Sequence, residues 1–170
     1  MGWRRPRLLA KTDGVEAFHS TSEPLDTWLI KYAWGNQQSG MSRVFVSTLA
    51  ASDERVIGYY ALATGGVAHS GAPPRVAKGI PKHPIPVIIV TRLAVDREFQ
   101  GQGLGRALVR DAFARVLVAA DVVGVRALLI HAKDVRARDY YLRIAECEPS
   151  PTDPLHLFIL LKDLRKVVST

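Results

Sequence analysis

Apolar positions at Leu25, Trp28, Leu29, Tyr32 and Ala33 recur at three- and four-residue intervals within EPLDTWLIKYAWGNQQSG, which predicts an early helix ending in polar residues and glycine. Two β-rich runs follow, SRVFVSTLA and RVIGYYALATGGVA, joined as a hairpin by a turn at ASDE. Residues 71–86 (GAPPRVAKGIPKHPIP) break the pattern with five prolines and read as an exposed basic loop carrying Arg75, Lys78 and Lys82. VIIVTRLAV is a nearly unbroken apolar run, hence a buried strand. GLGRALVRDAFARVLVAA repeats Leu104, Leu108, Ala112 and Val116 at helical intervals. RALLIHA predicts another strand, DVRARDYYLRIAE a short helix with Asp134 as its N-cap, and HLFILLKDL a closing strand. Helix, three strands, helix, strand, helix and strand in that order make a mixed α/β (α+β) domain.

Length and charge narrow this further. At 170 residues the chain is expected to be one domain, 1–170, with a basic N-terminal arm at 1–14. Lys and Arg total 23 against 16 Asp and Glu, and 16 of the 23 are Arg. A merely basic surface and a polyanionic partner both agree with that excess, Arg having a planar fork suited to phosphate. Cys147 is the only cysteine, which excludes an internal disulfide and a multi-cysteine metal site, so no metal is expected. The apolar run near the N-terminus is too short for a signal peptide, and Pro6 stands where myristoylation needs Ser or Thr. With no apolar stretch long enough to span a bilayer, a soluble cytoplasmic protein is expected.

The chemistry centres on Gln100-Gly101-Gln102-Gly103-Leu104-Gly105-Arg106, where a strand ends and a helix begins. Unpaired amides and the positive dipole end of a helix N-terminus attract anions, and glycines let that backbone approach a phosphate. The dinucleotide fingerprint needs its third glycine one position later, and the P-loop needs Gly-Lys-Ser/Thr where Gly105-Arg106-Ala107 stands. The pattern Q-x-x-G-x-G instead resembles the GNAT superfamily of acetyl-coenzyme A dependent N-acetyltransferases. That resemblance implies a single GNAT domain with a mixed sheet flanked by helices. It also implies a turn, Gln100 to Arg106, that cradles the coenzyme A pyrophosphate, with Leu93, Ala94 and Val95 along the pantetheine arm.

The likeness extends over about residues 15 to 165, through EPLDTWLIKYAWGNQQSGMSRVFV, VIGYYALATGGV, PIPVIIVTRLAVDREFQGQGLGRALVRDAFAR and GVRALLIHAKDVRARDYYLRI. These resemble the GNAT toxins of bacterial type II toxin–antitoxin modules. The resemblance implies acetylation of the α-amino group of aminoacyl-tRNA, a block of translation, a ribbon-helix-helix antitoxin and a homodimer. One departure stands out: Tyr140-Tyr141 is followed by Ala145-Glu146, where the family usually has Gly-Phe.

Transfer from a thioester to an amine needs a neutral amine, a polarised carbonyl and a proton for the departing thiolate. The helix alone favours a core aromatic at Tyr141; the resemblance makes it the general acid, with Tyr140 facing elsewhere on the helix. No dedicated base stands out: Asp134 is a cap and His131 reads as structural. An α-amine, with a reference pKa of about 7.7–8.0, is partly neutral without one. Candidate tRNA contacts are Arg75, Lys78, Lys82, Arg92, Arg136 and Arg138, with Arg4, Arg5 and Arg7 of the arm. Two other functions fit less of the chain: acetylation of a small or protein amine, and a non-catalytic RNA- or nucleotide-binding module.

Overall fold

A computed structural model describes residues 2–169, so Met1 and Thr170, the ends of the expected domain and the first residue of the arm, lie outside the described residues. The strands are β1 (Arg7–Leu8), β2 (Arg43–Leu49), β3 (Ser52–Val67), β4 (Ile85–Val95), β5 (Ala127–His131), β6 (Glu148–Pro149) and β7 (His156–Leu160). The helices are α1 (Glu23–Lys31), α2 (Ala33–Gln38), α3 (Pro74–Ala77), α4 (Leu104–Ala120), α5 (Val135–Ile144) and α6 (Leu161–Val168). The seven strands form a mixed sheet in the order β1-β2-β3-β4-β5-β7-β6. Parallel β4 and β5 are connected through α4, whereas β1, β2 and β3 pair antiparallel, as do β5, β7 and β6. This is the mixed α/β domain that the element order predicts.

The chain forms two compact units, one of residues up to Ala63 with Arg92–Ala112, the other of Thr64–Thr91 with the residues from Phe113 onward. In the first, Leu25, Trp28 and Leu29 of α1 pack with Val44, Val46, Val56 and Tyr59 of the sheet. Tyr59 hydrogen-bonds the Leu25 carbonyl at 2.7 Å, which satisfies its buried hydroxyl. Arg7 grips Asp13 with two nitrogens at 2.8 and 2.9 Å, and backbone pairing of Arg4 with Thr48 ties the basic arm along β2. In the second unit, Val76, Ile85, Val87, Ala127 and Phe158 form the core.

Gly58 on β3 packs closely against the start of α4. A Cβ there would sit 3.0 Å from Leu108 Cδ1 and 3.1 Å from Leu104 Cδ2, both on fully buried side chains of α4. Gly58→Val is therefore expected to destabilise the protein by about 1–3 kcal/mol, read as a lower urea midpoint at unchanged slope.

Four local readings differ from the sequence expectation. The early helix is two helices that break at Tyr32 (φ −122°, ψ −21°), whose ring is exposed and not part of the apolar face. The hairpin turn is shorter than expected, since β3 already begins at Ser52, with irregular pairing at Ser47, Thr48 and Leu49. Residues 71–86 are not all exposed loop: Pro74 starts α3, and Val76 and Ala77 enter the core. The closing strand stops at Leu160, and LKDL belongs to α6, which buries Leu164 and turns Lys162, Arg165 and Lys166 toward water.

Candidate active site

The glycine turn is held open from behind. Asp96, almost wholly buried, accepts from the Glu98 amide at 3.0 Å and the His19 amide at 3.1 Å. Arg55 reaches Glu98 at 3.4 Å and lies over the Phe99 ring at 5.4 Å. The Gln100 side chain donates to the Val95 carbonyl at 3.0 Å and that of Gln102 to the Glu98 carbonyl at 3.1 Å. Both glutamines thus brace the loop with their side chains.

Gly101 (φ +77°) and Gly103 (φ +93°) adopt left-handed backbone, and a Cβ built on either would meet no atom within 4 Å. The space beside these two residues is open, which suits a bulky anion drawn close to the main chain. Ala107 N–H makes the first turn's bond to the Gly103 carbonyl at 3.0 Å, so the amides ahead of it lie at the positive end of a 17-residue helix. Gly105 is different: its Cβ would touch Val95 Cγ2 at an ordinary 3.8 Å, so the space beside it is bounded by the strand. Arg106 is exposed in the first turn of α4, and Leu104 is fully buried, so Leu104 offers only its backbone.

Of the strand residues ahead of the turn, Leu93 and Val95 are half-buried on one face, while Ala94 points into the core on the other. Ala94 therefore can meet a ligand only through its main chain. Arg92 lies 4.2 Å from the Trp28 ring centroid, a cation–π contact that orients its guanidinium. Among the described residues it has no carboxylate partner. Trp28 reads from sequence as a core residue, and its second role, as a platform for Arg92, was legible only in three dimensions. Asp96 and Arg55 were likewise missed; an Asp two residues before Glu98 is the one local sign of a braced turn.

Tyr141 belongs to the second unit. Asp134 caps its helix by accepting from the Ala137 amide at 2.8 Å, as the sequence predicts. The Tyr141 side chain is 6% exposed, and its neighbour Tyr140 meets it edge-on at 5.6 Å between ring centroids. Burial, with smaller contributions from Tyr140 and Cys147, raises the Tyr141 hydroxyl above the usual phenol range, so it keeps its proton at neutral pH. Cys147 Sγ donates to the Tyr141 carbonyl at 3.4 Å, and burial pushes its thiol up to about 12. Ala145 ends the helix in extended backbone (φ −148°, ψ 158°), a conformation open to any residue, so alanine there carries no backbone strain. His131 stacks on His156 at 4.1 Å across the β5–β7 pair, in keeping with a structural residue at a strand end.

The cations expected to meet RNA divide in two. Arg75 is engaged by carboxylates, Glu148 at 2.8 Å and Asp163 at 3.1 Å, which removes it from the list of available charges. Arg138 meets Asp139 at 3.2 Å. Lys78, Lys82 and Arg136 are exposed. The turn, Leu93 to Val95, Arg92 and the arm's Arg4, Arg5 and Arg7 lie in the first unit; Tyr141, Arg75, Lys78, Lys82, Arg136 and Arg138 lie in the second.

A strand thus runs into a left-handed glycine turn at the start of a 17-residue helix. Residues 41–144 match the acetyltransferase (GNAT) domain, and the chain belongs to that family. It is 48% identical over 167 residues, 98% of each chain, to a protein of Mycobacterium tuberculosis named tRNA-acetylating toxin. Two solved structures share the fold at 24% identity: AtaT complexed with acetyl-methionyl-tRNAfMet (TM-score 0.87, 98% of this chain and 99% of that one) and a mutant AtaT toxin bound to the C-terminus of the antitoxin AtaR and acetyl-CoA (TM-score 0.80, all of both chains).

Proposed function

We propose that this acetyltransferase is the toxin of a toxin–antitoxin module and moves the acetyl group of acetyl-coenzyme A to the α-amino group of an aminoacyl-tRNA, which blocks translation. The observation that carries this is the 48% identity, sustained along nearly the whole chain, to a tRNA-acetylating toxin. The net charge of +7 suits a polyanionic acceptor.

Acetyl-coenzyme A is the acetyl donor, and it supplies an activated thioester carbonyl. The backbone amides of the turn from Gly101 to Arg106 hold its pyrophosphate, and Leu93 and Val95 flank the arm leading to the thioester. The aminoacyl amine, already partly neutral, attacks the carbonyl; the carbon–nitrogen bond forms as the carbon–sulfur bond breaks, and Tyr141 delivers its hydroxyl proton to the sulfur. Burial that raises the Tyr141 hydroxyl also raises the nearby Cys147 thiol. The amine's surplus proton passes through water back to Tyr141, which restores its hydroxyl. A ribbon-helix-helix antitoxin, a homodimer and action in the cytoplasm complete the reading.

The test is incubation of the purified protein with radiolabelled acetyl-coenzyme A and total aminoacylated tRNA. Label is expected on one or a few charged tRNAs and absent from the uncharged pool. Label appearing only on small amines or proteins would replace the tRNA acceptor with one of those.

A further inference from the structure

We infer that a cavity of about 480 Å³ between the proline-rich segment and the start of α6 is a site for consecutive phosphates of the tRNA backbone, an inference that rests on the tRNA reading above. Five cations line it: Arg75, Lys78, Arg126, Lys162 and Arg165. Their charges are not equivalent. Arg75 is answered by Glu148 and Asp163. Arg126 donates to the carbonyls of Val76 at 3.0 Å and Arg75 at 3.2 Å, so it positions α3 and keeps a full positive charge at the cavity. Lys78, Lys162 and Arg165 are exposed and, among the described residues, have no carboxylate partner.

The cavity also receives the first turn of α6, whose N-cap is Leu160 and offers no side-chain acceptor to the helix amides. The helix dipole adds to the positive field there, offset in part by Asp163 in the same first turn, whose charge Arg75 shares. One carboxylate would leave most of these cations unmatched, whereas an RNA backbone brings closely spaced negative charges, each able to take one Lys or Arg. Arg126 fastens one wall: by donating to carbonyls of α3 it holds the segment that carries Lys78.

The experiment compares the full-length protein with the double variant Lys162→Glu/Arg165→Glu, both at exposed positions. Uncharged tRNA binding is measured across a salt series, and steady-state acetylation on aminoacyl-tRNA. The expected result is about tenfold weaker tRNA binding, a salt slope lower by about 2, and a raised KM for aminoacyl-tRNA. The KM for acetyl-coenzyme A and kcat should stay at wild-type values, and Lys162→Arg/Arg165→Lys should keep the wild-type slope, which a purely structural role does not predict. An unchanged slope overturns the inference, as does unchanged tRNA binding with lost neutralisation by an acidic antitoxin segment, which would assign the cavity to a protein partner. Wild-type protein that fails to acetylate any charged tRNA, yet loses tRNA binding in the variant, would sink the acceptor assignment and leave this site standing.

Discussion

Replacing Tyr141 with Phe is expected to lower kcat by about 10²–10⁴-fold while acetyl-coenzyme A still binds with its wild-type affinity. The substitution keeps the ring, and with it the edge contact to Tyr140. It removes only the proton that the departing sulfur needs. Single-turnover acetylation and a calorimetric titration with acetyl-coenzyme A separate the two effects. The wild-type pH profile carries a second signature: because burial raises the Tyr141 hydroxyl above its ordinary 10.0, it stays protonated throughout the neutral and mildly alkaline range. The rate should climb as the acceptor amine loses its proton, without an alkaline fall below pH 10. Full activity in Tyr141→Phe, or lost cofactor binding, would remove Tyr141 from the general-acid role.

Substituting Gly103 by Ala is expected to raise the KM for acetyl-coenzyme A by about 5–30-fold. The residue sits at φ +93°, where an L side chain costs about 1–2 kcal/mol, and each 1.4 kcal/mol is a factor of ten. Its Cβ would enter space that no protein atom occupies, so any further loss beyond strain reports on what the ligand fills there. Gly105→Ala is the matched comparison. Its added methyl meets Val95 at an ordinary 3.8 Å, and it is expected to keep the wild-type melting temperature. Equal acetyl-coenzyme A kinetics in wild type and Gly103→Ala would remove the turn from the cofactor site.

Much of this protein is determined by the sequence on its own terms. Leu104, Leu108, Ala112 and Val116 bury one helix face because their spacing matches the helical period, and all four are at most 1% exposed. The glycines at 101 and 103 mark a turn because only glycine takes those backbone angles without strain. Asp134 caps its helix because a short side-chain oxygen reaches the amide three residues on. Each of these depends on neighbours within a few residues.

What the tertiary structure alone decided involves partners far apart in the chain. Arg75 reads as a free loop cation, yet Glu148 and Asp163, distant in sequence, claim its charge. Arg92 is one basic residue among many until Trp28 lies under its guanidinium. LKDL extends the apolar run of the last strand, but at Leu161 the chain gains more by turning into a helix that buries Leu164 and exposes its lysines. The cavity that gathers Lys78, Arg126, Lys162 and Arg165 has no sequence signature, because charge convergence is set by how strands and helices pack and by no local spacing.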